Sequence, residues 1–212
     1  MIDELRLANA KMPTGEIGKN TLLSMNENHS PLTKWALSKL NHNKANNILD
    51  IGCGGGATIE KLHNIYENAF IYGIDYSMES VKLSKEHNQH ILNKFCSVEF
   101  GDVHSLPYNN NNFDIITAFE TIYFWKDIKV ALSQVNRILK DDGVFLICCE
   151  MSDVNNPKWS NALNKMNINS GEKWKEILEN NNFIVDTLDV KDEWICLISH
   201  KVKKVGEIKW YF

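Results

Sequence analysis

Four glycines, Gly52, Gly54, Gly55 and Gly56, crowd the stretch ILDIGCGGGATIE (48–60) between an apolar run and a helical one. Glycine weakens helix and strand interiors, so such a cluster answers a backbone need, usually the close approach of main-chain amides to a ligand. Three carboxylates stand at related places: Asp50 two residues before the first glycine, Asp75 at the end of a second apolar run, and Asp102 after a third. A carboxylate at Asp50 repels pyrophosphate and welcomes an ammonium group. Asp75, 25 positions further on, suits a pair of vicinal ribose hydroxyls, and Asp102 suits an exocyclic amine of adenine. The glycines alone discriminate poorly, because Gly52, Gly54 and Ala57 also satisfy the dinucleotide-binding pattern. Asp50 is what separates the two readings.

These residues need elements to hold them. NILDI (47–51), AFIYGID (69–75), SVEFGD (97–102), FDIITAFE (113–120) and GVFLICCE (143–150) read as strands. Between them ATIEKLHNIY (57–66), the run from Ser77 to Leu92, and KDIKVALSQVNRILK (126–140) carry helical spacing. Ser77 is placed as an N-cap, and Asp141, Asp142 and Gly143 are expected to stop the third of these helices. A further helix, GEKWKEILENN (171–181), precedes FIVDTLDV (183–190) and EWICLISHK (193–201), which lie too close together for a crossover and should pair antiparallel. Alternation of this kind predicts βαβ units around a parallel sheet, with the ligand outside the carboxyl ends of the strands.

Length and charge bound the function. At 212 residues and 43% hydrophobic content the chain can bury one core. Its net charge of -4 and pI near 6.0 give none of the basic surplus that drives nucleic-acid binding. Five cysteines without a C-x-x-C pair read as buried small hydrophobes in a reducing compartment, which makes the cytoplasm the expected location. No apolar stretch reaches the roughly 18 residues of a bilayer span, so no membrane partner is expected.

LDIGCGGG, YGIDYS, GDVHSLPY, FDIITAFE and ILKDDGVFLI, in that order, resemble the motifs of class I S-adenosylmethionine-dependent methyltransferases over residues 47–200. The resemblance implies a Rossmann-like α/β sandwich with a seven-stranded, mostly parallel sheet carrying one antiparallel strand. It also implies that S-adenosylmethionine contacts Asp50, Gly52, Cys53, Gly54, Asp75, Tyr76, Asp102, Val103 and Glu120, with Ser77 beside them. Residues 1–45 would form a helical lid, 46–202 the catalytic domain and 203–212 a tail. PTGEIGKNTLLSMNENHSPLTKWALSKL (13–40) with ETIYFW (120–125) is similar to small stand-alone bacterial and archaeal methyltransferases, some of which esterify carboxylates in peptide natural-product pathways. The expected acceptor is therefore a small molecule or a peptide carboxylate, and the expected state a monomer or homodimer.

In-line methyl transfer needs alignment and exclusion of water, and no metal or covalent intermediate is expected. An aromatic face can stabilise the sulfonium, and Tyr123, Phe124 and Trp125 are the candidates, Tyr123 foremost. His29 is the first candidate for general base or acceptor orienter, and His104 the second. Asn26, Trp35, Tyr123 and Trp159 are placed around the acceptor, with Lys158, Lys165 and Met166 on its outer wall. Glu150 reads as an exposed loop carboxylate. Two rival readings are a nicotinamide- or flavin-dependent oxidoreductase and a non-catalytic module that retains cofactor binding.

Overall fold

The computed structural model describes residues 4–41, 44–150, 152, 155–156 and 166–202. Three helices lead, α1 (Glu4–Lys11), α2 (Gly15–Asn28) and α3 (Ser30–Leu37). The alternating region follows: β1 (Asn47–Ile51), α4 (Ala57–Ile65), β2 (Phe70–Asp75), α5 (Met78–His87), β3 (Cys96–Phe100) and β4 (Phe113–Phe119). A 3-10 turn (Ile122–Phe124), α6 (Ile128–Ile138), β5 (Leu139–Cys149), α7 (Gly171–Glu179), β6 (Phe183–Lys191) and β7 (Trp194–Lys201) complete it.

The strands form one sheet in the order β3-β2-β1-β4-β5-β7-β6. Only β7 is reversed, pairing antiparallel with β5 and β6 while the other neighbours run parallel. This is the expected seven-stranded α/β sheet with one antiparallel strand. From β1 the chain steps outward to β2 and β3, then returns to β4 on the opposite side of β1. The crevice outside the carboxyl ends of β1 and β4 is thus the switch point at which such sheets bind ligands.

Alternation along each strand divides the core in two. Leu49, Ile51, Ile116 and Phe145 face α6 and α7, meeting Leu132, Val135, Ile138 and Trp174. Ile48, Ile71, Ile115 and Leu146 face the other side, meeting Leu32 and Ala36 of α3 and Ile59 and Leu62 of α4. The helices start where short polar residues supply caps. Ser77 Oγ accepts from Ser80 N (3.2 Å) at α5, and Asp127 Oδ1 accepts from Val130 N (3.0 Å) at α6. All five cysteines are buried and free. Among the described residues no helix is long and apolar enough to cross a membrane.

Two element boundaries differ from those read in the sequence. Asp141 to Gly143 do not stop α6, which ends at Ile138 and passes directly into β5. Leu139 pairs with Phe113 ahead of a bulge, and a Cβ at Gly143 would stand 2.8 Å from Leu139 Cδ1, so the glycine makes room for that buried leucine. α5 ends at His87 and not near Leu92, because the Asn88 amide turns back to donate to Gly56 O and Ser84 O (3.0 Å each).

Candidate functional site

The chain leaves β1 through a loop whose amides are held by its neighbour: Gly52 N and Cys53 N both donate to Ile74 O of β2 (2.8 and 3.2 Å). Gly52, Gly54 and Gly56 have φ of 72, 50 and 85°, in the left-handed region that side chains disfavour. A Cβ on Gly52 would overlap Thr121 Oγ1, so this glycine lets the loops after β1 and β4 touch. Gly55 and Gly56 exceed what the cofactor motif requires, and they answer to packing. A Cβ at Gly55 would lie 2.6 Å from Asn26 Nδ2, and one at Gly56 would lie 2.5 Å from both Asn88 Nδ2 and Ser84 Oγ. Asn26 Nδ2 donates to Gly55 O (3.1 Å), fastening α2 onto the loop.

Asp75 closes the far side. Its Oδ2 accepts from Gly54 N (2.8 Å) and its Oδ1 from Ser77 N (2.9 Å), which fixes the carboxylate. Burial still pushes its pKa up against those donors. Asp50 sits beneath the loop and off the cavity wall, 2% exposed, accepting from Thr117 Oγ1 (2.7 Å). Burial, opposed by the Thr117 bond, pushes its pKa up to about 7. Asp102 is half exposed, and His104 bridges it to the next loop, with Nδ1 2.5 Å from Asp102 Oδ1 and Nε2 accepting from Asp127 N (3.2 Å). That second bond places the ring proton on Nδ1. Burial raises the Asp102 pKa, but the His104 amide and imidazole outweigh it and hold the carboxyl low. Arg137 of α6 pins this loop through Leu106 O (2.8 Å) and Tyr108 O (2.6 Å).

One cavity of about 330 Å³ runs from this loop to the ends of β4 and β5. Its wall includes Gly52, Cys53, Gly54, Asp75, Tyr76, Asp102, Val103 and Glu120 of the expected cofactor set, together with Asn26, His29 and His104. Burial lowers the His29 pKa to about 4, so its imidazole is neutral at physiological pH. Glu120, 5% exposed and at φ 54°, accepts from Tyr123 Oη on Oε2 (2.7 Å) and from Glu150 N on Oε1 (2.6 Å). Ligand atoms of His29, Glu120 and Glu150 all lie within 4.8 Å of one another.

Besides Asp50, four expected residues are placed away from the wall. Tyr123 is packed in the core, 3% exposed, where burial and the Glu120 charge push its hydroxyl pKa well up. The 3-10 turn aims Phe124 and Trp125 at the cavity in its stead. Trp35 packs against Trp194, ring centroids 6.0 Å apart, and Ser77 Oγ donates to Pro13 O (2.7 Å), tying the α1–α2 junction to α5. Met166 belongs to the core. Trp159, Lys158, Lys165 and the tail 203–212 lie outside the described residues. Reading the sequence missed Thr121, whose signal was its place beside Glu120, and Lys11, Lys61 and Lys126, which had none.

Residues 42–182 match a family model described as a methyltransferase domain. A demethylmenaquinone methyltransferase of Staphylococcus haemolyticus is 28% identical over 139 residues, 65% of this chain and 56% of that protein. The chain spans between 39% and 56% of the length of the curated relatives it matches first. The fold matches a S-adenosylmethionine-dependent methyltransferase from Aquifex aeolicus with TM-score 0.74 at 18% identity, over 87% of this chain and 98% of that one. It also matches, with TM-score 0.79 at 17% identity over 96% of this chain and 100% of that one, a chain from the complex of the Haloferax volcanii Trm112 methyltransferase activator with its methyltransferase.

Proposed function

Since the chain belongs to the class I S-adenosylmethionine-dependent methyltransferases, we propose that it methylates an oxygen of a small molecule or peptide seated between His29, Glu120 and Phe124. The observation carrying this reading is the single cavity that joins the glycine loop to His29 and Glu120. The cofactor is S-adenosylmethionine, which supplies a methyl carbon already activated by sulfonium. The residues present fit it: the cradle at Gly54 stays open, with only Leu22 3.7 Å from a Cβ there, and Asp75 is aimed by two backbone donors. Asp75 would hold the ribose hydroxyls and Asp102 the adenine amine, while Asp50 would act on the cationic end through its field from beneath the loop.

At the acceptor end His29 is a weak base, so its part is to accept a hydrogen bond from the acceptor and orient it. Phe124 offers the aromatic face. Helices α1 to α3 act as the lid, since Asn26 and Ser77 fasten them over the glycine loop, and they exclude water there. His104, with both ring nitrogens engaged, holds the loop. Glu120 lines the acceptor end of the cavity.

Calorimetric titration with S-adenosylhomocysteine tests the reading, alongside reduced nicotinamide dinucleotide. Binding of the thioether nucleotide is expected, and binding of the nicotinamide nucleotide alone would overturn it. Asp75→Ala should weaken S-adenosylhomocysteine binding by about 10- to 100-fold, in line with the loss of charged hydrogen bonds. His29→Ala should leave that affinity in place and lower kcat/KM by about 100-fold or more. Mass spectrometry of acceptors for the gain of one methylene identifies the oxygen.

A further inference from the structure

Lys61 stands where the cavity meets the helix that follows the glycine loop. Four residues on from Ala57, it falls on the same face of α4, and Ala57, Thr58 and Lys61 line the cavity together with Asn26, His29 and Thr33. Its Nζ donates one of its three protons to Ala57 O (3.2 Å), and no carboxylate among the described residues pairs with it within 4.0 Å. Burial lowers its pKa; the Glu60 and Asp50 charges oppose that shift and the Lys34 charge adds to it. Glu60 is itself engaged with His87 (3.1 Å). The other two lysines of the wall belong to the nucleoside end: Lys126 acts on Asp102, and Lys11 lies two residues before Pro13, whose carbonyl Ser77 holds (2.7 Å).

We propose that Lys61 binds the carboxylate of the cofactor's amino-acid end, as the counterpart of Asp50 toward its ammonium group. That end of S-adenosylmethionine is a zwitterion, so it is best met by a wall that carries both signs. Asp50 attracts the ammonium but repels the carboxylate, and Asp75 and Glu120 on the same cavity add to the repulsion. Lys61 offsets them. Asp50 and Lys61 lie close enough for each charge to act on the other, so together they present a dipole to a group whose own charges are one carbon apart. The flexible four-carbon stem lets the ammonium leave Ala57 O and follow the carboxylate. The assignment rests on the methyl-transfer reading and adds a specificity to it: an adenosyl sulfur compound without the carboxylate is bound less well.

The test is calorimetric titration of the full chain with two ligands that share the nucleoside and the sulfur. One is S-adenosylhomocysteine; the other is its decarboxylated analogue, the adenosyl thioether of 3-aminopropanethiol, which keeps the ammonium and lacks the carboxylate. The wild type should bind S-adenosylhomocysteine about tenfold more tightly than the analogue. Lys61→Met keeps the stem and removes the charge, so it should lose that factor for S-adenosylhomocysteine, lose little for the analogue and close the gap. Lys61→Arg should restore the preference. Equal affinity of the wild type for the two ligands overturns the assignment, and so does a Lys61→Met chain that preserves the gap. The wild-type comparison needs no variant, and a partial loss of fold moves both ligands alike without changing their ratio. Binding of neither ligand to the wild type removes the methyltransferase reading and this assignment with it, an outcome distinct from binding of both without preference.

Discussion

Asp50 is buried against the Thr117 hydroxyl, and burial pushes its pKa up to about 7. A folded-state pKa above the unfolded value of 3.8 means that the folded chain binds the proton more tightly. Stability from this group is therefore full below the unfolded pKa and is lost as pH rises from 3.8 through about 7. Asp50→Asn should be more stable than the wild type at pH 8, by at most roughly 4 kcal/mol, and match it near pH 4, as read by thermal denaturation. A cationic cofactor end near Asp50 favours the ionised form, so binding at pH 6 should release protons, which calorimetry in buffers of different ionisation heat measures. Asp75, Tyr76, Asp102 and Glu120 were legible because each ends or follows a strand at the same edge of the sheet. Tyr123 was not: three consecutive aromatics look alike until the 3-10 turn decides which one faces inward.

Between elements, the extra glycines gain a meaning that no local pattern carries. Gly55 admits Asn26 from 29 residues upstream, and Gly56 admits Asn88 from 32 residues downstream. A Cβ at Gly55 meets only the far end of a flexible side chain, so Gly55→Ala should fold and displace the Asn26 amide. Gly55→Ala and Asn26→Ala should then weaken S-adenosylhomocysteine binding by similar factors. Their combination should be no worse than either alone, a coupling of about 0.5 kcal/mol or more in a double-mutant cycle. Strand and helix positions were legible from the 2 and 3.6 periods. The passage from α6 into β5 was not, because Leu139 adopts strand geometry to reach Phe113 across the sheet, and only pairing reveals that contact.

Across the whole molecule, the sheet builds two cores and a switch point, and the amino-terminal helices cover the crevice. The closing hairpin was legible in its spacing and the one antiparallel strand in the family likeness, while the insertion of β7 between β5 and β6 was not, because strand order is decided by pairing across the sheet. Besides the α3 core contacts, two side-chain hydrogen bonds fasten the helices: Asn26 to the glycine loop, and Ser77 Oγ to Pro13 O (2.7 Å). Ser77→Ala removes that tie and the α5 cap together. Loss of the cap is worth about 1 kcal/mol, a melting shift of roughly 2 to 4 °C for a domain of this size. Limited proteolysis should also cut faster between α1 and α2; an unchanged rate would mean that the tie contributes nothing to seating them.

The Ser77–Pro13 tie spans 64 residues, and its earlier half leaves the ribosome first. At about 5 to 20 residues per second, roughly 3 to 13 seconds pass between emergence of the helical cover and emergence of its anchor. During that interval Leu22, Leu32 and Ala36, all buried in the finished protein, have no sheet to rest on. The nascent chain therefore presents an oily helical face to whatever waits at the exit tunnel until the sheet that buries it has been made.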